Sequence, residues 1–225
     1  MKAVLTALLA LALVPPSCNL KIPFDRPTDV PMTSQMPAVV EVDMDSILHD
    51  FETEVIKNQP VIKASLRPGI SDEKLTDVET ALGSPIHPEM RAFYRWHDGL
   101  ADGLQLFPGY EFYSLEKAIQ TNKELVQAYK DKGMQLFMAH EAGWLILFPD
   151  PAGDGYYYDH KQDYAHGGVF FNFRESGYYM FFPSIRNLLA AITECYRQGA
   201  YQGTETLNFD LESKIMQKYG QEYQQ

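Results

Sequence analysis

The sequence is poor in three things, and each shortage closes a class of function. Only two of its 225 residues are cysteine, Cys18 and Cys195. If Cys18 carries lipid, no intramolecular disulfide can form, and a zinc fold built on clustered cysteines is not supported. Basic residues are few as well: 19 Lys and Arg stand against 30 Asp and Glu, for a net charge of -11. Binding to nucleic acid through counterion release needs the opposite balance, so no nucleic-acid partner is expected and a basic protein partner is favoured. Long apolar runs are also missing. The stretch Ala3 to Val14, behind the basic start Met1-Lys2, is too short to cross a bilayer comfortably but suits the apolar part of an export signal.

Pro15-Pro16-Ser17-Cys18 then sets a small residue directly before a cysteine, as at the end of a bacterial lipoprotein signal. Cys18 is the candidate lipid acceptor, with ordinary cleavage nearby as the alternative. Residues 1–18 are thus read as an export signal, and the chain is expected in the cell envelope, periplasmic or membrane-anchored, or in the cytoplasm if the signal goes unused. Residues 19–40, with Pro23, Pro27, Pro31 and Pro37, read as an extended tether. Residues 41–203 form one domain, and 204–225 a loose helix or flexible tail.

Motifs that carry chemistry are just as scarce. There is no Gly-x-Ser-x-Gly elbow and no Gly-rich phosphate loop. PDPAGDGYYYDHK places Asp150, Asp154 and Gly155 in partial imitation of a calcium loop, but Ala152 is no ligand and Lys161 stands where the bidentate Glu belongs. His140, His160 and His166 lack partners at zinc spacing. His97-Asp98 reads as a turn at a helix end, and Cys195 as a small core residue. No catalytic residue, metal or cofactor is expected.

What the sequence does contain is well-punctuated structure. Met44, Ile47, Leu48, Phe51 and Val55 make a helical stripe after Asp43. Ser71 caps a helix carrying Leu75, Val78 and Leu82 that Gly83 ends, and Pro88 opens another with Met90, Phe93, Tyr94 and Trp96 that Asp98-Gly99 closes. Leu104 to Phe112 reads as a strand broken at Pro108-Gly109, and Ser114 caps the next helix. From Met134 onward the pattern turns to strands: MQLFMA, WLILF, YYY, VFFNF and YYMFF. Ser184 begins a closing amphipathic helix to Gln198. The fold class is α+β: helices first, a four- to five-stranded, mainly antiparallel sheet, then a helix packed on it.

Leu66, Pro68, Ile70, Leu75, Glu79, Leu82, Pro88, Phe93, Tyr94, His97, Asp98 and Gly99, read with the later GLQLFPGYEFYSLEKAI and GWLILFPD, resemble the SUKH superfamily over about residues 62–198. That superfamily includes fungal Smi/Knr-type cell-wall assembly regulators and bacterial toxin-immunity proteins. Many members carry a Gly-Gln-Val-Ile-like strand where this chain has Gly168-Val169-Phe170-Phe171. The resemblance implies a non-enzymatic protein-binding module, of immunity type and neutralising a basic toxin domain. An envelope-located cell-wall regulator is the alternative, and an enzyme of unrecognised type the second. Partner binding is assigned to the acidic and aromatic turn holding Asp150, Asp154, Tyr156 and Asp159, where glycines expose backbone and the side chains offer charge and contact area.

Overall fold

A computed structural model describes residues 37–101, 103–131, 144–159, 168–173 and 177–222. The expected export signal with Cys18, the expected tether up to Met36 and the strand expected at MQLFMA lie outside the described residues.

Helix α1 (Met44–Asn58) starts where Asp43 accepts the Ser46 N–H at 2.9 Å, and it buries Ile47, Leu48, Phe51 and Val55. A 3₁₀ turn (Pro60–Ala64) leads into β1 (Leu66–Pro68). Helices α2 (Asp72–Leu82) and α3 (Pro88–Trp96) follow, with Ser71 capping the first and Gly83 ending it in the left-handed region at φ 71°. Strand β2 (His97–Leu100) then pairs antiparallel with β1. The expected turn at Asp98-Gly99 is therefore a strand. Gly99 permits it: its φ is 85°, and a Cβ there would stand 2.5 Å from the Ser114 nitrogen.

A short hairpin, β3 (Gln105–Phe107) and β4 (Tyr110–Glu111), turns over Pro108-Gly109. Helix α4 (Leu115–Asp131) packs on β5 (Trp144–Pro149). Strands β6 (Gly155–Asp159), β7 (Val169–Phe173) and β8 (Gly177–Phe182) continue an antiparallel meander. Helix α5 (Ile185–Arg197), capped by Ser184, runs back across it. After a small ribbon, β9 (Tyr201–Gln202) with β10 (Thr206–Leu207), the chain forms α6 (Phe209–Tyr219) and β11 (Gln221–Glu222). Strand β11 pairs with β8, so the sheet order is β11-β8-β7-β6-β5. The C-terminal segment is thus no loose tail: Ile215 and Met216 are buried, and α6 packs on α5.

Alternation along the strands divides the sheet's side chains between two faces. Leu145, Leu147, Tyr156, Tyr158, Val169 and Phe182 join the main core with Phe51, Phe93, Phe112 and the α5 stripe Ile185, Leu188, Leu189, Ile192 and Cys195. Trp144, Ile146, Tyr157, Phe170 and Phe181 form a second buried cluster. The rings of Tyr156, Tyr157, Phe170 and Phe171 are therefore packing on both faces and present no open aromatic surface.

Candidate functional site

The β5–β6 turn is held by its own first residue. Asp150 N–H donates to the Asp154 carbonyl at 2.8 Å, Gly153 N–H to the Asp150 carbonyl at 3.0 Å, and Asp154 N–H to Asp150 Oδ1 at 2.9 Å. Asp150 therefore acts as the turn's side-chain brace. Gly155 is required at the exit: with φ 152°, a Cβ would come 2.2 Å from the Phe148 carbonyl oxygen. Pro151 and Ala152 are exposed at the tip, with Asp150 and Asp154 half-buried beside them.

Tyr156 does not belong to a contact surface. It is 6% exposed, edge-on to Phe171 at 4.9 Å and to Tyr110 at 5.3 Å, and burial holds its phenol well above the usual range. The reason is parity: opposite Phe148 in the register, its ring points into the helix-covered face. Asp159 sits at the far end of β6 opposite Trp144, and its side chain lies outside the described part. Five residues of strand put it roughly 17 Å from Asp154. The four residues expected in one patch therefore divide: Asp150 and Asp154 meet, Tyr156 is core, and Asp159 is remote from both.

The residues that join Asp150 and Asp154 come from elements distant in sequence. Tyr110, on β4, has its phenol raised chiefly by burial and then by the negative charges of Glu212, Asp150 and Asp154. Glu212, from α6, accepts the Tyr201 hydroxyl at 2.5 Å, and burial lifts its own carboxyl above the usual range against that hydrogen bond. One turn earlier in α6, Phe209 is 71% exposed, three residues from Glu212 and hence on the same side of the helix. Asp210 and Glu205 are exposed nearby in the chain. The result is an acid-rich end of the molecule with one ring standing free.

Asp98, His97 and Cys195 are each committed to structure. Asp98 Oδ1 accepts the Leu115 N–H at 2.8 Å and so caps α4. His97 Nδ1 lies 2.7 Å from the Arg67 carbonyl oxygen; that oxygen can only accept, so Nδ1 carries the proton. The Cys195 thiol is pushed up to about 12, first by burial and then by the charge of Glu212, which keeps it protonated and inert at neutral pH. Among the described residues, no group of three or more His, Cys, Asp or Glu could hold a metal ion.

The sequence model of the SMI1 / KNR4 family (SUKH-1) matches residues 69–190, more than half of the chain. This chain belongs to the SUKH-1 family. A search of the curated proteins returned no match. The SUKH-1 match takes in the β5–β6 turn and Tyr110, and leaves out α1, Phe209 and Glu212. Membership is consistent with a protein-binding module of immunity or cell-wall type. No helix among the described residues is long and apolar enough to cross a membrane.

Proposed function

We propose that this SUKH-1 domain is a non-enzymatic protein-binding module of immunity type, which holds and blocks a basic toxin domain at its acidic end. The observation that carries this is the braced turn holding Asp150 and Asp154, whose strand brings Tyr156 within 5.3 Å of Tyr110, together with Phe209 of α6, which is 71% exposed. Carboxylates draw a basic partner in and set its orientation, while a free aromatic ring supplies the desolvated anchor around which such interfaces concentrate their energy. A net charge of -11 extends the same attraction over the whole molecule.

The test is co-expression with a toxin domain encoded beside this chain's gene, followed by binding kinetics at low and high salt. Rescue of growth is expected, with association slowed and less salt-dependent in Asp150→Asn/Asp154→Asn, and dissociation faster in Phe209→Ala. Identical kinetics for wild type and all these variants would remove the acidic end from the interface.

A second reading, an envelope-located cell-wall assembly regulator, is favoured by the apolar run Ala3 to Val14 and by Cys18. On either reading we place the chain in the envelope, with lipid on Cys18. Fractionation should find the full-length product there, and Cys18→Ala should release it into the soluble periplasmic fraction. A wholly cytoplasmic product retaining Met1 would overturn the placement.

A further inference from the structure

Helices α1 and α3 border a shallow open cleft of about 450 Å³, lined by Asp45, Leu48, His49, Glu52, Arg95 and Trp96. It continues along α1 past Thr53 to Ile56 and Lys57 as a second hollow of about 380 Å³. Asp45, His49, Glu52 and Ile56 recur at three- to four-residue spacing, so one face of α1 forms the wall throughout. Leu48, Ile56 and the half-buried Trp96 make it partly apolar.

The charges in this cleft do not cancel. Arg95 leans on Asp72, outside the cleft, at 3.6 Å, and Lys57 on Glu54 at 3.3 Å, so both cations are already matched. Asp45 accepts no hydrogen bond from any described residue, leaving only the α1 dipole to favour it. Glu52 Oε2 accepts the neutral indole N–H of Trp96 at 2.8 Å, and His97 Nε2 stands 4.0 Å off. Neither carboxylate has a Lys or Arg partner among the described residues. They stand seven residues apart on one helix, two turns, or about 10 Å.

We infer that the α1–α3 cleft is a docking site for a basic amphipathic helix of a protein partner. Lys or Arg seven residues apart on such a helix repeats the spacing of Asp45 and Glu52, and apolar side chains between them would meet the half-buried Ile56 and Trp96. The inference rests on the protein-binding reading for the class of its occupant. Its location is independent of the acidic end.

The probe is a synthetic amphipathic helical peptide with Lys at positions seven apart and Leu between, titrated into the full chain while tryptophan emission is followed. The chain has two tryptophans, and Trp144 is buried against Phe170, so a change reports Trp96. Saturable binding is expected, weakened about two- to thirty-fold in Asp45→Asn/Glu52→Gln, as two exposed ion pairs imply. Gln keeps an acceptor for the Trp96 indole, so the cleft survives the change. Asp50→Asn, which removes an acid of α1 paired instead with Arg197, should leave the affinity unchanged. Equal binding of a peptide with Glu for Lys, equal affinity of the double variant, or equal weakening by Asp50→Asn would each overturn the site. A chain that binds the peptide but no toxin keeps the cleft and loses the immunity reading; one that binds the toxin alone loses the cleft.

Discussion

Asn187 is the residue whose replacement should report most directly on how the two ends of the domain are joined. It is 1% exposed on α5, and its amide is fully used. Nδ2 donates to the carbonyls of Ala38 at 3.1 Å and Tyr219 at 3.0 Å, while Oδ1 accepts the Val40 N–H at 3.2 Å and the Ser184 hydroxyl at 2.7 Å. One side chain thus ties the segment before α1 and the end of α6 to the first turn of α5. Asn187→Ala removes four hydrogen bonds, each with a net worth of about 0.5–1.5 kcal/mol. Three of the four partners sit where water can reach, which offsets part of the loss, so a destabilisation of about 2–4 kcal/mol is expected. Urea unfolding should show a lower midpoint at an unchanged slope, and proteolysis should be enhanced near Ala38 and Gln221. With Ser184→Ala in the same chain the losses should be less than additive, because the two residues share a bond. A loss below about 0.5 kcal/mol, with both ends still protected, would refute the tie.

Three further predictions test the core, a backbone crossing and a titrating group. Leu189→Ala, at a fully buried position of α5, should cost about 2–5 kcal/mol, and unchanged melting of this variant and of Ile192→Ala would mean that α5 is not packed as described. Gly69→Ala would set a Cβ 1.8 Å from the Arg95 carbonyl oxygen, beside the Ile70 N–H bond to Tyr94 O; a loss of about 1–3 kcal/mol or more is expected, and a neutral result would contradict that crossing. Glu212 has its carboxyl raised by burial, so the native state binds more protons than the unfolded chain just above the ordinary Glu range, and its contribution to stability falls as pH rises through that window. Glu212→Gln, which still accepts from Tyr201, should therefore raise the urea midpoint relative to wild type at pH 7 and lose that advantage in acid; a difference independent of pH would refute the shift.

Short-range features were legible in the sequence because each is decided within a few residues. Asp43, Ser71, Ser114 and Ser184 all accept the N–H three residues on, and Gly83 ends α2 in the left-handed region. The strands from Trp144 to Phe182 and the α5 stripe follow from composition and period alone. His97–Leu100 is different: its strand character comes from pairing with Leu66–Pro68, some thirty positions earlier, and local signals at Asp98-Gly99 say only that the helix stops. The helix within 204–225 was one of the two readings of that segment, but its docking was unreadable for the same reason. Nothing within 204–225 announces that Glu212 meets Tyr201 or that Gln221 pairs with Phe181.

The candidate site shows the limit most clearly, since alternation assigns Tyr156 and Tyr157 to opposite faces but cannot say which face is open. Here neither is: Tyr156 meets Phe171 and Tyr110, and Tyr157 packs with Trp144. With both faces filled, strand β6 has only its turn to offer a partner, and that turn keeps Asp150 and Asp154 half-buried. The contact area a partner needs must come from elsewhere. On the proposed reading Phe209 would provide it from α6, a helix whose place is fixed by Ile215 and Met216 in the core and by the Asn187 bond to the Tyr219 carbonyl. On the proposed immunity reading, recognition at the acidic end would depend on the C-terminal segment being docked, and a substitution that loosens Asn187 should weaken toxin binding without touching a single proposed contact residue.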